Sequence, residues 1–94
     1  MTSTAHVPTP NASRYLQQLN KHWSHKFAVE FTATESSIQL PLGEVALVAS
    51  DDTLDITLSP LPDADLAKMK EVVESHVDRF AHREGALSYD WQTA

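Results

Sequence analysis

The sequence predicts an α+β fold in which two helices pack on one face of a mainly antiparallel sheet, in the order α-β-β-β-β-α-β. Three observations carry that prediction. Two stretches repeat apolar residues at helical spacing: Ala12, Tyr15, Leu16, Leu19 and Trp23 in the first, Leu66, Met69, Val73, Val77 and Phe80 in the second. Between and after them, apolar and polar residues alternate with the period of two of a half-buried strand. Each helix therefore has one apolar stripe and nearly every strand one apolar face, and laying the helices over one side of the sheet buries both.

Met1 to Pro10 is rich in Thr, Ser and Pro and has no apolar core, so residues 1–9 are expected to be a flexible lead-in rather than a signal peptide. A single α+β domain is expected over residues 10–94. Thr9-Pro10 reads as an N-cap followed by proline at the first helical position, where its missing N–H costs nothing. The first helix is predicted from about Pro10 to about Ser24. Phe27, Val29 and Phe31 form the first strand, and Ile38 and Leu40 begin a short second one that Pro41 interrupts, with a bend at Leu42-Gly43. Val45, Leu47 and Ala49 continue as a third strand. Asp51-Asp52 then turns the chain into Leu54, Ile56 and Leu58, making a hairpin of the last pair.

Pro60 and Pro62 end the sheet run, because proline cannot donate to a ladder. Asp63 and Asp65 suit the start of the second helix, where carboxylates meet unpaired N–H groups. That helix is expected to end near Arg83, with Gly85 as its terminating glycine. Leu87, Tyr89 and Trp91 alternate once more and predict a final strand.

Composition narrows the function classes. With no cysteine, the chain has no disulfide framework, no thiolate zinc site and no cysteine nucleophile, which fits a cytoplasmic protein. Thirteen acidic residues against seven basic ones leave a net charge of −6, which opposes binding to nucleic acid or an anionic membrane surface. No run approaches the roughly 18–20 apolar residues of a membrane span. Two glycines, Gly43 and Gly85, are too few for a phosphate-cradling loop or a dinucleotide fingerprint, and no Gly-x-Ser-x-Gly elbow occurs.

The densest polar cluster is Lys21-His22-Trp23-Ser24-His25-Lys26, at the end of the first helix. His22 and His25 stand three residues apart, a spacing that lets two side chains reach one ligand. Two imidazoles supply half of a zinc or iron shell, so a divalent-metal centre needs a third donor. His76, at the edge of the second helix's apolar stripe, is the best placed, and the candidate metal set is His22, His25 and His76. The simpler expectation, preferred over a metal centre or acid–base catalysis, makes His22 and His76 interfacial histidines that hold a backbone carbonyl or a carboxylate. Glu74, Asp78 and His82 line a second row on the second helix, at the spacing of a cation site but equally of an ordinary solvated face; the solvated face is expected. Trp23, Phe27, Phe31, Phe80, Tyr89 and Trp91 all stand where periodicity would bury them.

The segment Ala12-Ser13-Arg14-Tyr15-Leu16-Gln17-Gln18-Leu19 running into Lys21-His22-Trp23-Ser24-His25-Lys26-Phe27 resembles a bacterial family of unknown function, DUF2218. So do His76-Val77-Asp78-Arg79-Phe80-Ala81, Arg83-Glu84 and the late Trp91, and the likeness covers nearly the whole chain. Where similar proteins show Pro-Phe-Gly, this chain has Pro41-Leu42-Gly43, so a ligand contact made by that ring would differ here. Similar domains also occur beside siderophore-interacting flavoreductase-like modules, which implies an accessory role around iron.

Arg14, Lys26, Arg79 and Arg83 fall in or beside the matching segments and form the candidate set for a carboxylate or phosphate ligand, with salt bridges to Glu74, Glu84 or other surface acids as the simpler expectation. The leading functional expectation is a non-enzymatic binding or accessory domain, linked through the resemblance to iron and siderophore metabolism and to a protein partner there. The alternatives are a small metal-dependent enzyme using the histidine cluster, and a structural homodimer that covers a sheet edge by pairing.

Overall fold

The computed structural model describes residues 2–84 and 87–93. It is an α+β protein of two helices and one six-stranded antiparallel sheet. The chain runs β1 (Ser3–Pro8), α1 (Ala12–Trp23), β2 (Val29–Phe31), β3 (Glu35–Leu40), β4 (Gly43–Ala49), β5 (Thr53–Pro60), α2 (Leu66–Phe80), a 3₁₀ turn (His82–Glu84) and β6 (Gln92–Thr93). In space the strands lie in the order β2-β3-β4-β5-β1-β6.

The first correction to the sequence reading is β1. Ser3–Pro8, expected to be a flexible lead-in, is an internal strand between β5 and β6. Its inward row is Ser3, Ala5 and Val7, all fully buried, opposite Leu58, Ile56 and Leu54 of β5. Small side chains make that row inconspicuous as a pattern, but strand pairing is a backbone interaction and needs only a free partner edge. Pro8 is the last residue of the strand, a position where the missing N–H is tolerated. The helix correspondingly starts later than expected, at Ala12, and the cap position is Asn11. Thr9 folds back instead: its hydroxyl accepts the Asn11 N–H at 3.1 Å.

Register explains why one face of the sheet is dry. Ala5↔Ile56, Val7↔Leu54, Leu47↔Ile56, Val45↔Leu58 and Ile38↔Val45 are paired directly, so the buried residues of four strands line a single face. Both helices lie on that face. α1 lies over β2 to β5, and α2 packs on β5 and on α1. Leu16 and Leu19 of α1 and Met69, Val73 and Val77 of α2 are fully buried against it, and truncating one of these leucines would cost about 2–5 kcal/mol. The other face carries Thr4, His6, Asp55 and Thr57, with His6 Nδ1 2.5 Å from Asp55 and the two threonine hydroxyls 3.3 Å apart.

Pro41 and Leu42 form the turn between β3 and β4, and Gly43 opens β4 with φ +147°. A Cβ there would stand 2.4 Å from the Ser59 carbonyl oxygen, so both the conformation and the approach to β5 require glycine. β2 is only three residues long, and Phe31, expected to be buried, is 37% exposed because β2 is an edge strand. The Asp65 carboxylate caps α2 by accepting the Lys68 N–H at 3.2 Å, as its position before the apolar stripe anticipated. The expected role of Gly85 lies outside the described residues.

The last strand is also corrected. Only Gln92–Thr93 pair, with Ser3 and Thr4 of β1. Tyr89 and Trp91 turn to α2 instead: Tyr89 donates to Asp78 at 2.8 Å and Trp91 Nε1 donates to Glu74 at 2.7 Å. The row Glu74, Asp78, His82 is therefore not the plain solvated face expected of it, because its two carboxylates hold the C-terminal aromatics. The rings of Tyr89 and Trp91 stack at 6.3 Å, and Lys70 Nζ sits 5.8 Å from the Trp91 ring centroid. Burial first, then the hydrogen bond to Asp78, pushes the Tyr89 phenol well above its usual range. Among the described residues no helix is long and apolar enough to cross a membrane.

Candidate functional site

α1 and α2 run antiparallel across the sheet, so the start of α1 meets the end of α2 and the end of α1 meets the middle of α2. Each meeting leaves a cavity.

The first cavity, about 300 Å³, is lined from α1 by Arg14, Tyr15 and Gln18, from the end of α2 by Arg79 and Phe80, and from the 3₁₀ turn by Arg83. Asn11, His82 and Glu84 complete its wall. The second helix ends at Phe80 and not near Arg83 as expected, so Arg83 reaches the cavity from the 3₁₀ turn rather than by helical spacing from Arg79. The salt bridges expected for these arginines are not formed among the described residues. Among the described residues the only ion pair within 4.0 Å is His6–Asp55, at the far face of the sheet.

Glu84, the nearest carboxylate, is engaged otherwise. Thr9 donates to it at 2.8 Å and Asn11 Nδ2 at 3.2 Å, and the hydroxyl of buried Tyr15 donates to the same oxygen as Asn11. These donors, the Tyr15 hydroxyl foremost, hold the Glu84 carboxyl below its ordinary range. Burial, and then the hydrogen bond to Glu84, raises the Tyr15 phenol. This network ties the turn before α1 to the 3₁₀ turn after α2 and fixes the mouth of the cavity. Tyr15 and Glu84 as partners were not legible in sequence, since 69 residues separate them.

The second cavity, about 350 Å³, is lined by His22, Trp23, Lys26, Phe27, Leu40, Pro41, Leu42, Val72 and His76. The His22 and His76 rings lie 5.2 Å apart, and the Trp23 ring lies 4.9 Å from His76. His76 Nδ1 is 2.7 Å from the Val72 carbonyl oxygen, so as a neutral ring it donates that proton to the backbone and leaves Nε2 free as an acceptor. Partial burial of the His22 ring holds its pKa below the ordinary value, and the nearby charges of His76, Arg79, Lys26 and His25 add to that.

The structure thus joins His22 with His76 across the seam and leaves His25 out. α1 ends at Trp23, and His25 stands in an exposed turn closed by the Lys26 N–H to the Trp23 carbonyl at 3.0 Å. Among the described residues no three His, Cys, Asp or Glu side chains are grouped to hold a metal ion. Of the four candidate anion ligands, Arg14, Arg79 and Arg83 share the first cavity, and Lys26 belongs to the second. Phe80 is the residue that sequence periodicity assigned to the core alone. Its ring lines the first cavity and approaches His22 of the second to 6.2 Å.

Residues 4–92 match the model of a family described as an uncharacterized protein conserved in bacteria, DUF2218. No curated protein matches the chain. Among solved structures, the NMR structure of PA4090 from Pseudomonas aeruginosa is similar, with 37% sequence identity and a TM-score of 0.77 over 99% of this chain and 96% of that one.

Proposed function

This chain belongs to the DUF2218 family of uncharacterised bacterial proteins, and from that premise we propose that it is a non-enzymatic binding domain whose ligand carries a carboxylate or phosphate group. The observation that carries the reading is the convergence of Arg14 from α1, Arg79 from α2 and Arg83 from the 3₁₀ turn on one cavity, with no carboxylate among the described residues within ion-pair distance of any of them. Guanidinium groups present a planar fork of donors that matches carboxylate and phosphate oxygens, and an anion bound among them replaces the missing counter-charge. In a chain with a net charge of −6, such a positive pocket is a local exception to the overall field.

The cavity has no nucleophile paired with a base. Its tyrosine is committed to Glu84, and its phenol is held above the ordinary range rather than lowered toward a catalytic one. Binding without turnover is the chemistry these groups supply. A ferric siderophore bearing carboxylates is one member of this ligand class, and it is raised by the occurrence of similar domains beside siderophore-interacting modules.

The test is a titration of the full chain with inorganic phosphate and with citrate, followed by backbone and arginine side-chain NMR signals. Saturable shifts centred on Arg14, Arg79 and Arg83 are expected, with affinity weakened at least fivefold in Arg83→Ala and reduced by added salt. Absence of saturable shifts with either anion, or an unchanged affinity in Arg83→Ala, would sink the reading.

A further inference from the structure

We propose that the two cavities are the halves of one site, and that its ligand is an amphipathic organic anion whose carboxylate or phosphate sits among the arginines while its aromatic or apolar body lies in the second cavity. This rests on the anion-binding reading above and adds the class of molecule that the site takes.

The physical case begins with Phe80. Its ring belongs to the wall of the arginine cavity, and its edge meets His22 at 6.2 Å with the planes 72° apart. His22 in turn belongs to the wall of the second cavity and stacks obliquely on His76. A continuous aromatic surface, Phe80 to His22 to His76 to Trp23, therefore leads from one cavity into the other. Arg79 stands at the junction: it lines the first cavity, and its charge is felt at His22. An anion held by Arg79 would leave any group attached to it lying along Phe80.

The two halves differ in the chemistry they favour. The first is arginine-rich. The second is walled mainly by the side chains of Trp23, Phe27, Leu40, Leu42 and Val72. An apolar body placed there removes hydrocarbon surface from water on both sides, at roughly 25 cal/mol per Å². Each cavity alone is at the small end of the range typical of ligand pockets, about 300–1,000 Å³, whereas a molecule spanning both occupies a site of ordinary size. Where the aromatic body approaches His76, the free Nε2 accepts a hydrogen bond from a phenol or amide on the ligand.

A matched set of probes tests this on the full chain: acetate, 2-naphthoate and the neutral 2-naphthalenemethanol, each titrated by NMR. The arginine Nε–H signals report the first cavity and the Trp23 indole N–H reports the second. We expect 2-naphthoate to bind at least tenfold tighter than acetate and than the neutral alcohol, and to shift both sets of signals together. Val72→Trp, which fills the second cavity, should bring 2-naphthoate down to the affinity of acetate, and Arg83→Ala should weaken both carboxylates.

Equal affinities of acetate and 2-naphthoate, with shifts confined to the arginines, overturn the bipartite site and leave the anion reading standing. Shifts from 2-naphthoate confined to Trp23, with affinity indifferent to Arg83→Ala, show two unconnected cavities and also overturn it. If neither carboxylate nor phosphate binds, both readings fall. The probe comparison on the unmodified chain decides the matter even if Val72→Trp does not fold.

Discussion

At one end of the helix seam, where α1 begins, the structure is pinned by directed hydrogen bonds; at the other, where α1 ends, it is held by packing. Glu84 gathers Thr9, Asn11 and Tyr15 at the first end, and three arginines line the same cavity without an ion pair to any of the described residues. At the second end His22, His76 and Trp23 lie ring against ring, over a wall made by the Pro41-Leu42 turn. The difference teaches how a small domain can keep a polar pocket open. A carboxylate that could pair directly with the arginines is held instead by neutral donors, which fix its place in the wall at more than ion-pair distance from each guanidinium.

The largest expected effect breaks the apolar end. In Gly43→Ala the new Cβ meets the Ser59 carbonyl oxygen at 2.4 Å and the Pro60 Cα at 2.7 Å, in a backbone conformation that alanine resists. A loss of about 3 kcal/mol or more follows, in the range of severe core substitutions. At ~4–8 °C per kcal/mol for a domain of this size, thermal denaturation should shift down by more than about 10 °C. A shift under about 4 °C would mean that the β3–β4 turn does not govern that wall.

Glu84→Ala breaks the polar end. It leaves the buried Tyr15 hydroxyl without its acceptor, at a cost of about 1–2 kcal/mol read by thermal or urea denaturation. The same change removes a negative charge from the arginine cavity, so phosphate should bind more tightly while the fold becomes weaker. Weaker phosphate binding in a folded Glu84→Ala variant would show instead that the Glu84 network is needed to position the arginines.

The smallest effect sharpens the comparison through pH. His22 in the folded protein is held below its ordinary 6.5, so the unfolded chain binds that proton first. Its contribution to stability is complete above about pH 6.5 and declines as pH falls from there toward the lower folded value. Glu84 is held below its ordinary 4.5, so its contribution is complete above that pH and is lost as pH falls through the lower folded value. On acidification the apolar end should therefore loosen first and the polar end second. Melting temperature measured from pH 8 to pH 3 checks this: His22→Gln should flatten the upper window and Glu84→Gln the lower. Identical profiles for both variants would dissolve the distinction between the two ends.

Part of the site was legible in sequence because helical spacing is local. Arg79 follows His76 at helical spacing, and His76 lies at the edge of a stripe whichever partner that stripe meets, whereas Arg83 falls past the end of α2, where helical spacing no longer places it. Their convergence with Arg14 and His22 was not legible, because it depends on α1 and α2 running antiparallel over the same sheet face. His25 shows the same limit from the other side. Three-residue spacing pairs it with His22 only while the helix continues, and α1 ends at Trp23.

Alternation and apolar stripes determined by themselves the class of fold, the hairpin of β4 and β5, the capped start of α2 and the bend at Leu42-Gly43, since each follows from short-range sterics and burial. Tertiary structure decided the rest. Only a free edge of β5 could recruit Ser3–Pro8, whose small residues carry little hydrophobic signal, because backbone ladders pair without regard to side chains. Only the packing of the C-terminal segment on α2 could turn Tyr89 and Trp91 from strand residues into partners of Asp78 and Glu74. Buried aromatic groups must satisfy their polar atoms, and where they find partners is a property of the assembled fold.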